Sequence, residues 1–362
     1  MNDLKPQTIR VAALGDLLFT NAPGANAPGR GLESVSVPLR ELFAGCDVVF
    51  GNLESTLQGE RTVPTEPRLI ATEKQVTSLK EAGVNIVSLG NNHAFDCFDE
   101  GFSRLRSLLD DLGITWFGAG ENLSEALRPA VMEIRGMKLA FLALVDQSSA
   151  PSHFAGETSQ GVAPLDTERA CRLIEKLRSR GNHVIVSPHW GEEQFRVPSP
   201  RQVRQAHAFI DAGACAVIGH HPHVLQGMAF YRQAPMAYSL GNFLANTVYW
   251  SDGDSLIWDR WGRTGCVLVM DLAPGGIKDI QQVLTYDDGK TINLNTRRWG
   301  KRHLQMLNAR MAAGITAQVY ERERFRVRKI RPIVSHLRWA ELRRLRPRHL
   351  RGAVRALFRR SD

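Results

Sequence analysis

Short apolar runs that alternate with helical patterns constrain this chain more than any other feature. Residues 9–14, 47–50, 85–89, 138–145, 183–187, 216–218, 236–240 and 267–272 read as strands. Residues 75–82, 99–112, 166–180 and 199–212 carry helical patterns, each with glycine just past its end: Gly83, Gly113, Gly181 and Gly213. Strand and helix in alternation predict an α/β domain. Pro188 is expected to break the 183–187 strand, and Pro274-Gly275-Gly276 to mark the edge of the body, with the short strand 280–285 still attached. No period of 20 to 50 residues recurs, which excludes a repeat protein.

Polar motifs collect just beyond these runs. Asp16 follows the first; Asn52 and Glu54 follow the second; Asn91, Asn92, His93 and Asp96 follow the third. His189 follows 183–187, and His220, His221 and His223 follow 216–218. In an open α/β sheet the carboxyl ends of the strands are where a site is built. Carboxylates, an amide oxygen and imidazoles, with no thiolate, suit manganese, iron or zinc and suit calcium poorly. There are more donors than one tetrahedral ion needs, so two ions sharing a bridging carboxylate use them better. If Asn92 binds metal, the adjacent His93 can protonate a leaving group, with Asp96 fixing its tautomer.

Each residue also has a plainer role. Asp16 suits a turn or helix cap, Asn91-Asn92 a left-handed turn, and His189 beside Trp190 a packed imidazole. Gly219-His220-His221-Pro222-His223 resists that reading, because packing rarely needs three imidazoles in four positions. His153, His183 and His207 join no constellation.

Six ordered blocks resemble the poly-γ-glutamate capsule-synthesis (CapA-like) proteins, a branch of the calcineurin-like metallophosphoesterases. They are Leu14-Gly-Asp16, Gly51-Asn-Leu-Glu54, Gly90-Asn-Asn-His93, His189-Trp-Gly191, Gly219-His-His-Pro-His223 and Ser239-Leu-Gly-Asn-Phe243. The resemblance covers roughly residues 9 to 250. It implies a four-layer α/β/β/α sandwich of the calcineurin-like type. It also implies Asp16 and His223 as ligands of a first metal, Asn92, His189 and His221 as ligands of a second, Glu54 as the bridging carboxylate, and His93 as the catalytic histidine. Two departures weaken the first metal site: Leu18 stands where the superfamily has a histidine, and the superfamily's bridging aspartate is replaced, with Asn52 near its position. The implied function is metal-dependent hydrolysis of a phosphoester, γ-glutamyl bond or polymer in capsule or exopolymer synthesis. The alternative is a non-catalytic assembly or polymer-binding factor in such a pathway.

Ser239-Leu-Gly-Asn242 repeats Ser88-Leu-Gly-Asn91, which fits either a glycine turn with an asparagine cap or a substrate contact. Trp190, Tyr249, Trp250, Trp258 and Trp261 can wall a cleft or pack in the core.

Of the net charge of +9, residues 321–362 carry fifteen Lys+Arg against four acids, or +11, so the preceding 320 residues sum to −2. The expected organisation is therefore a body at 1–296 and a helical, Arg-rich extension at 297–362. Leu337, Leu342, Leu345, Leu350, Val354, Leu357 and Phe358 recur at roughly helical spacing in that extension. It suits an anionic membrane surface or packing on the body; nucleic acid is disfavoured, since no binding motif accompanies the charge. The N-terminus carries no signal-peptide pattern and no run is long enough to span a bilayer, which predicts a cytoplasmic protein, peripheral at the inner membrane face if the extension binds there. Five dispersed cysteines predict free thiols.

Overall fold

The computed structural model describes residues 8–22 and 29–332. Two sheets dominate, one of eight strands and one of six. Along the chain these are β1 (Ile9–Leu18), β2 (Val48–Leu53), β3 (Ile86–Ser88), β4 (Thr115–Phe117), β5 (Ala130–Ile134), β6 (Met137–Val145) and β7 (Asn182–His189). They continue with β8 (Ala214–Ile218), β9 (Met228–Tyr231), β10 (Ala234–Ala237), β11 (Asn242–Ala245), β12 (Thr264–Ala273), β13 (Gly276–Asp287) and β14 (Ile292–Leu294). The first sheet runs β14-β13-β12-β1-β2-β3-β4, with β11 also paired to β1; the second runs β9-β10-β8-β7-β6-β5. The central neighbours in both are parallel.

Parallel strands covered on both faces need apolar side chains on both. On β1, Val11 and Ala13 enter a core between the sheets, while Ala12 and Leu14 face an outer core. On β6, Leu139, Phe141 and Ala143 face the other sheet, and Ala140, Leu142 and Leu144 face outward. Phe50, Phe117 and Phe141 meet between the sheets, with ring centroids 5.4 to 5.8 Å apart.

Helices close both outer faces. Over the first sheet lie α1 (Val37–Ala44), α2 (Glu73–Glu81) and α3 (Phe98–Leu112), which bury Phe43, Leu79 and Leu105. Over the second lie the short α4 (Leu123–Ala126), then α5 (Thr167–Ser179) and α6 (Pro200–Asp211), which bury Ala126, Ile174 and Phe209. The four-layer α/β/β/α sandwich expected from the sequence is therefore the architecture observed. Local signals set the helix bounds: Asp166 caps α5, Ser199 and Gln202 form a capping box on α6, and Gly113 ends α3 at φ 67°.

Three expectations need correction. Asp16 and Asn52 do not follow their strands; they lie within β1 and β2, which run on past a bulge between Ala13 and Asp16 because β11 pairs with the extension. Pro188 does not break β7. The strand's pairing with β6 runs on through Pro188 to His189, while the β7–β8 ladder is interrupted after Val186 and resumes at His189–His220, where the Pro188 carbonyl accepts the His220 N–H at 3.0 Å. Pro274 and Gly275 are the turn of the long β12–β13 hairpin, both strands of which belong to the first sheet.

Beyond the sheets, α7 (Arg298–Ala312) contacts β9 and buries Leu307 and Met311. It is followed by α8 (Ala317–Phe325) and a π-helical turn at Arg326–Ile330. The leucine-rich part of the basic extension, from Leu337 onward, lies outside the described residues. Among the described residues no helix is long and apolar enough to cross a membrane. All five cysteines are free.

Candidate metal centre

The carboxyl-end rim of both sheets brings Asp16, Glu54, His189, His221 and His223 into one buried cluster. Close backbone approach places the first of them. At Gly15 a Cβ would lie 1.9 Å from the Gly241 carbonyl oxygen, the same oxygen that accepts the Asp16 N–H at 2.9 Å. Asp16 Oδ1 accepts from Asn52 Nδ2 at 2.9 Å and lies 3.1 Å from His220 Nδ1. Its Oδ2 lies 3.3 Å from both the His221 N–H and His223 Nδ1.

Glu54 Oε1 sits 3.7 Å from His189 Nε2 and 3.5 Å from His223 Nε2. Asn52 Nδ2 faces Glu54 Oε2 and His189 Nδ1, each at 3.4 Å. Asn92 Oδ1 meets His189 Nε2 at 2.7 Å. Asn91 works on neighbouring protein groups instead, its amide lying 3.3 Å from Asn52 Oδ1 as a donor. It donates to the Leu53 carbonyl at 2.8 Å and accepts the His93 N–H at 3.1 Å, tying β2 to the loop after β3. His93 Nδ1 pairs with Asp96 Oδ2 at 2.8 Å, and that oxygen also accepts the Leu69 N–H at 2.7 Å.

Three sets of donors each lie within 4.8 Å of one another: Glu54, His189 and His221; Asp16, Glu54 and His223; and Glu193, His221 and His223. Glu54 Oε1 and His221 Nδ1 are buried without a hydrogen-bond partner, a costly condition for polar atoms. His221 and His223 hold positive φ angles of 97° and 55°, a strain that side chains other than glycine rarely accept away from functional sites. Orphaned donors, strained ligands and a mixed carboxylate–imidazole set fit divalent metal binding.

Electrostatics sort these groups by charge. Burial tends to raise Asp16, but His220 and His223 outweigh it and hold the carboxyl well below the usual range. Burial pushes Glu54 up to about 8, against the pull of His223. His223 is raised to about 10, because Glu54 and Asp16 overcome its burial. Burial pushes His221 down to about 4 and His189 well below its ordinary value, so both stay neutral. For His93, burial works against protonation, but Asp96 overcomes it and raises the imidazole.

Several sequence readings resolve here. Leu18 packs in an apolar cluster with Leu69, Ala245, Val248 and Trp258, so the position of the missing histidine is filled by hydrocarbon. His220 lies edge-on to Phe50 and bonds Asp16. In the Ser239–Asn242 block, Gly241 donates to Ser239 Oγ just as Gly90 donates to Ser88 Oγ, both at 3.2 Å. Asn242 itself meets His223 Nδ1 at 2.9 Å and orients that ring, which the sequence alone did not disclose. Trp190 is fully buried and stacks on Tyr238. Trp258 lies 5.2 Å from the His223 ring, as part of the wall. Glu193 was missed; the adjacent acids that follow His189-Trp190-Gly191 were its only sequence signal.

Fold and donor set together define a two-sheet sandwich protein with a buried histidine–carboxylate centre at the strand ends. The chain belongs to the bacterial capsule synthesis protein family PGA_cap, which matches residues 10–247. The capsule biosynthesis protein CapA of Bacillus anthracis is 31% identical over 282 residues, covering 75% of this chain and 68% of that protein. The PGA biosynthesis protein CapA of Bacillus subtilis (strain 168) is 28% identical over 248 residues, covering 67% and 65%. The chain thus spans about two thirds of the length of these relatives. Among solved structures, a hypothetical protein from Thermus thermophilus aligns with a TM-score of 0.49 at 17% identity, covering 77% of this chain and all of that one.

Proposed function

We propose that this protein is a metal-dependent hydrolase of capsule or exopolymer synthesis. In this reading Asp16, Glu54, Asn92, His189, His221 and His223 hold two divalent ions, of manganese, iron or zinc. The observation that carries it is the pair of orphaned buried donors, Glu54 Oε1 and His221 Nδ1, each among imidazoles and carboxylates. When bound, the ions supply Lewis acidity to the scissile group. The remaining work falls to the chain. Asp96 holds His93 through Nδ1 and favours its protonated form, leaving Nε2 to give a proton to the leaving group. Asn242 and Asp16 fix the His223 ring. The substrate would be a phosphoester or a γ-glutamyl bond of a polymer, and the capsule and PGA biosynthesis names of the relatives support a place in polymer synthesis.

Metal analysis of the purified protein after manganese or zinc loading tests the reading, with two equivalents expected. Parallel assays of His93→Ala and His221→Ala on phosphodiester and γ-glutamyl substrates then choose the chemistry. Absence of bound metal would overturn hydrolysis. It would favour the second reading, a non-catalytic polymer-binding factor, for which the hydrocarbon around Leu18 speaks. Under either reading the basic extension would bring the protein to an anionic membrane surface, which liposome sedimentation with and without residues 333–362 would measure.

A further inference from the structure

Helix α8 and the π-helical turn after it lie against one five-residue loop. Glu323 Oε1 accepts the Arg196 N–H at 2.6 Å. Arg326 donates to the Gln194 carbonyl at 3.1 Å and pairs with Glu323 at 2.6 Å. Arg328 pairs with Glu192 at 2.9 Å, and Tyr320 packs on Phe195 with ring centroids 5.4 Å apart. These contacts engage Glu192, Gln194, Phe195 and Arg196, and leave out Glu193. Its carboxylate pairs with none of these arginines; it lies instead with His221 and His223, one donor atom from each of the three lying within 4.8 Å of the others. The loop is pinned from the other side as well: Gln194 N–H donates to the Pro222 carbonyl at 2.8 Å, inside the histidine block. Glu323 is only 6% exposed, so its carboxylate is a built part of this contact.

We propose that Glu193 is a further carboxylate donor of the metal centre and that Glu323 is its positioning residue, holding the 192–196 loop through α8. The inference rests on the metal-dependent reading above. It assigns a role to a helix that lies beyond the region matched by the family, residues 10–247. It also explains how a centre lacking a histidine at Leu18 gains another donor. Glu193 is exposed, so its place depends on the loop, and the loop depends on the helix. A partner that orients a ligand commonly changes metal affinity by about 10- to 100-fold when removed.

The test is manganese binding by titration calorimetry on the full chain, with metal-free melting as a check on folding. Glu193→Gln is expected to weaken one class of manganese sites by about 10-fold or more without moving the metal-free melting temperature. Glu323→Ala is expected to weaken the same class, Glu323→Gln, which keeps an acceptor for the Arg196 N–H, to recover part of the loss, and the Glu193→Gln/Glu323→Ala double variant to bind no worse than Glu193→Gln. Should Glu323→Ala fail to fold, Glu193→Gln alone still decides the donor assignment. If the wild type binds manganese and Glu193→Gln binds it equally well, the inference fails while the metal-dependent reading stands. Additive losses in the double variant would overturn the positioning role of Glu323. A wild type that binds no manganese overturns both.

Discussion

Loading this centre with metal should release protons, and the number follows from the charges of the metal-free groups. Asp16 is ionised, and His189 and His221 are neutral, so none of these has a proton to give near pH 7. Glu54, pushed up to about 8, and His223, raised to about 10, both carry one. At pH 7 Glu54 is then about nine-tenths protonated and His223 almost wholly so, and a ligand must shed its proton before it binds. About two protons should leave per fully loaded centre at pH 7, falling to about one at pH 9, where Glu54 has already ionised. Metal affinity should accordingly rise by about 100-fold per pH unit just below pH 7 and by about 10-fold per unit near pH 9. Calorimetric titration in buffers of different ionisation enthalpy measures the release directly. Release of fewer than about half a proton at pH 7, or an affinity indifferent to pH, would refute the assignment of Glu54 and His223 as the protonated pair.

The remaining expectations concern separate parts of the structure. The same raised values imply that the metal-free protein loses stability as pH rises, through the Glu54 value of about 8 and then the His223 value of about 10, and thermal melts from pH 6.5 to 10 should show a falling midpoint that metal flattens. His93→Ala should lower turnover by about 10²- to 10⁴-fold with metal content unchanged, and Asp96→Asn should move the basic limb of the rate profile to lower pH, since the charge that holds the His93 proton is gone. Asn242→Ala, which removes the nearer of the two oxygens that orient His223 Nδ1, should weaken metal binding by about 10-fold, read by competition with a chelating dye. Phe50→Ala opens a cavity between the sheets against Phe117 and Phe141 and should cost about 3–5 kcal/mol in chemical denaturation.

The architecture was legible because strand and helix differ in period, and the buried parallel strands read as unbroken apolar runs. Residues 138–145 recover all of β6 but its first residue, and 267–272 recover the middle of β12, since both strands are covered on both faces. Short or half-exposed strands escaped: β4 has three residues, and β9 exposes Phe230. Neither holds enough of a repeat to register. At β7 a rule with a sound basis misled, because Pro188 interrupts pairing on the β8 side only, while the β6 ladder carries the strand on to His189.

The site divides along the same line. Asp16, Glu54, Asn92, His189, His221 and His223 stand at strand ends or in the loops directly after them, where position in sequence almost dictates position in space. Glu193 and Asn242 reach the cluster through long-range contacts, so the acids after Gly191 and the Ser239–Asn242 block marked the positions without disclosing their partners. Asn242 opens β11, a strand recruited to β1 across more than two hundred residues, and Glu193 rides on a loop held by Glu323, 127 positions downstream of the Arg196 N–H it accepts. Leu18 in place of a histidine, and Asn52 near the place of the bridging aspartate, read as losses when each position is judged alone. Asn52 Nδ2 nonetheless donates to Asp16 and reaches toward Glu54, so one amide ties the two acidic side chains together. Under the proposed two-ion reading, the first site would be rebuilt from Asp16, Glu54 and His223 around that amide rather than a damaged copy, and its strength would depend on how firmly Asn52 and Asn242 hold those three.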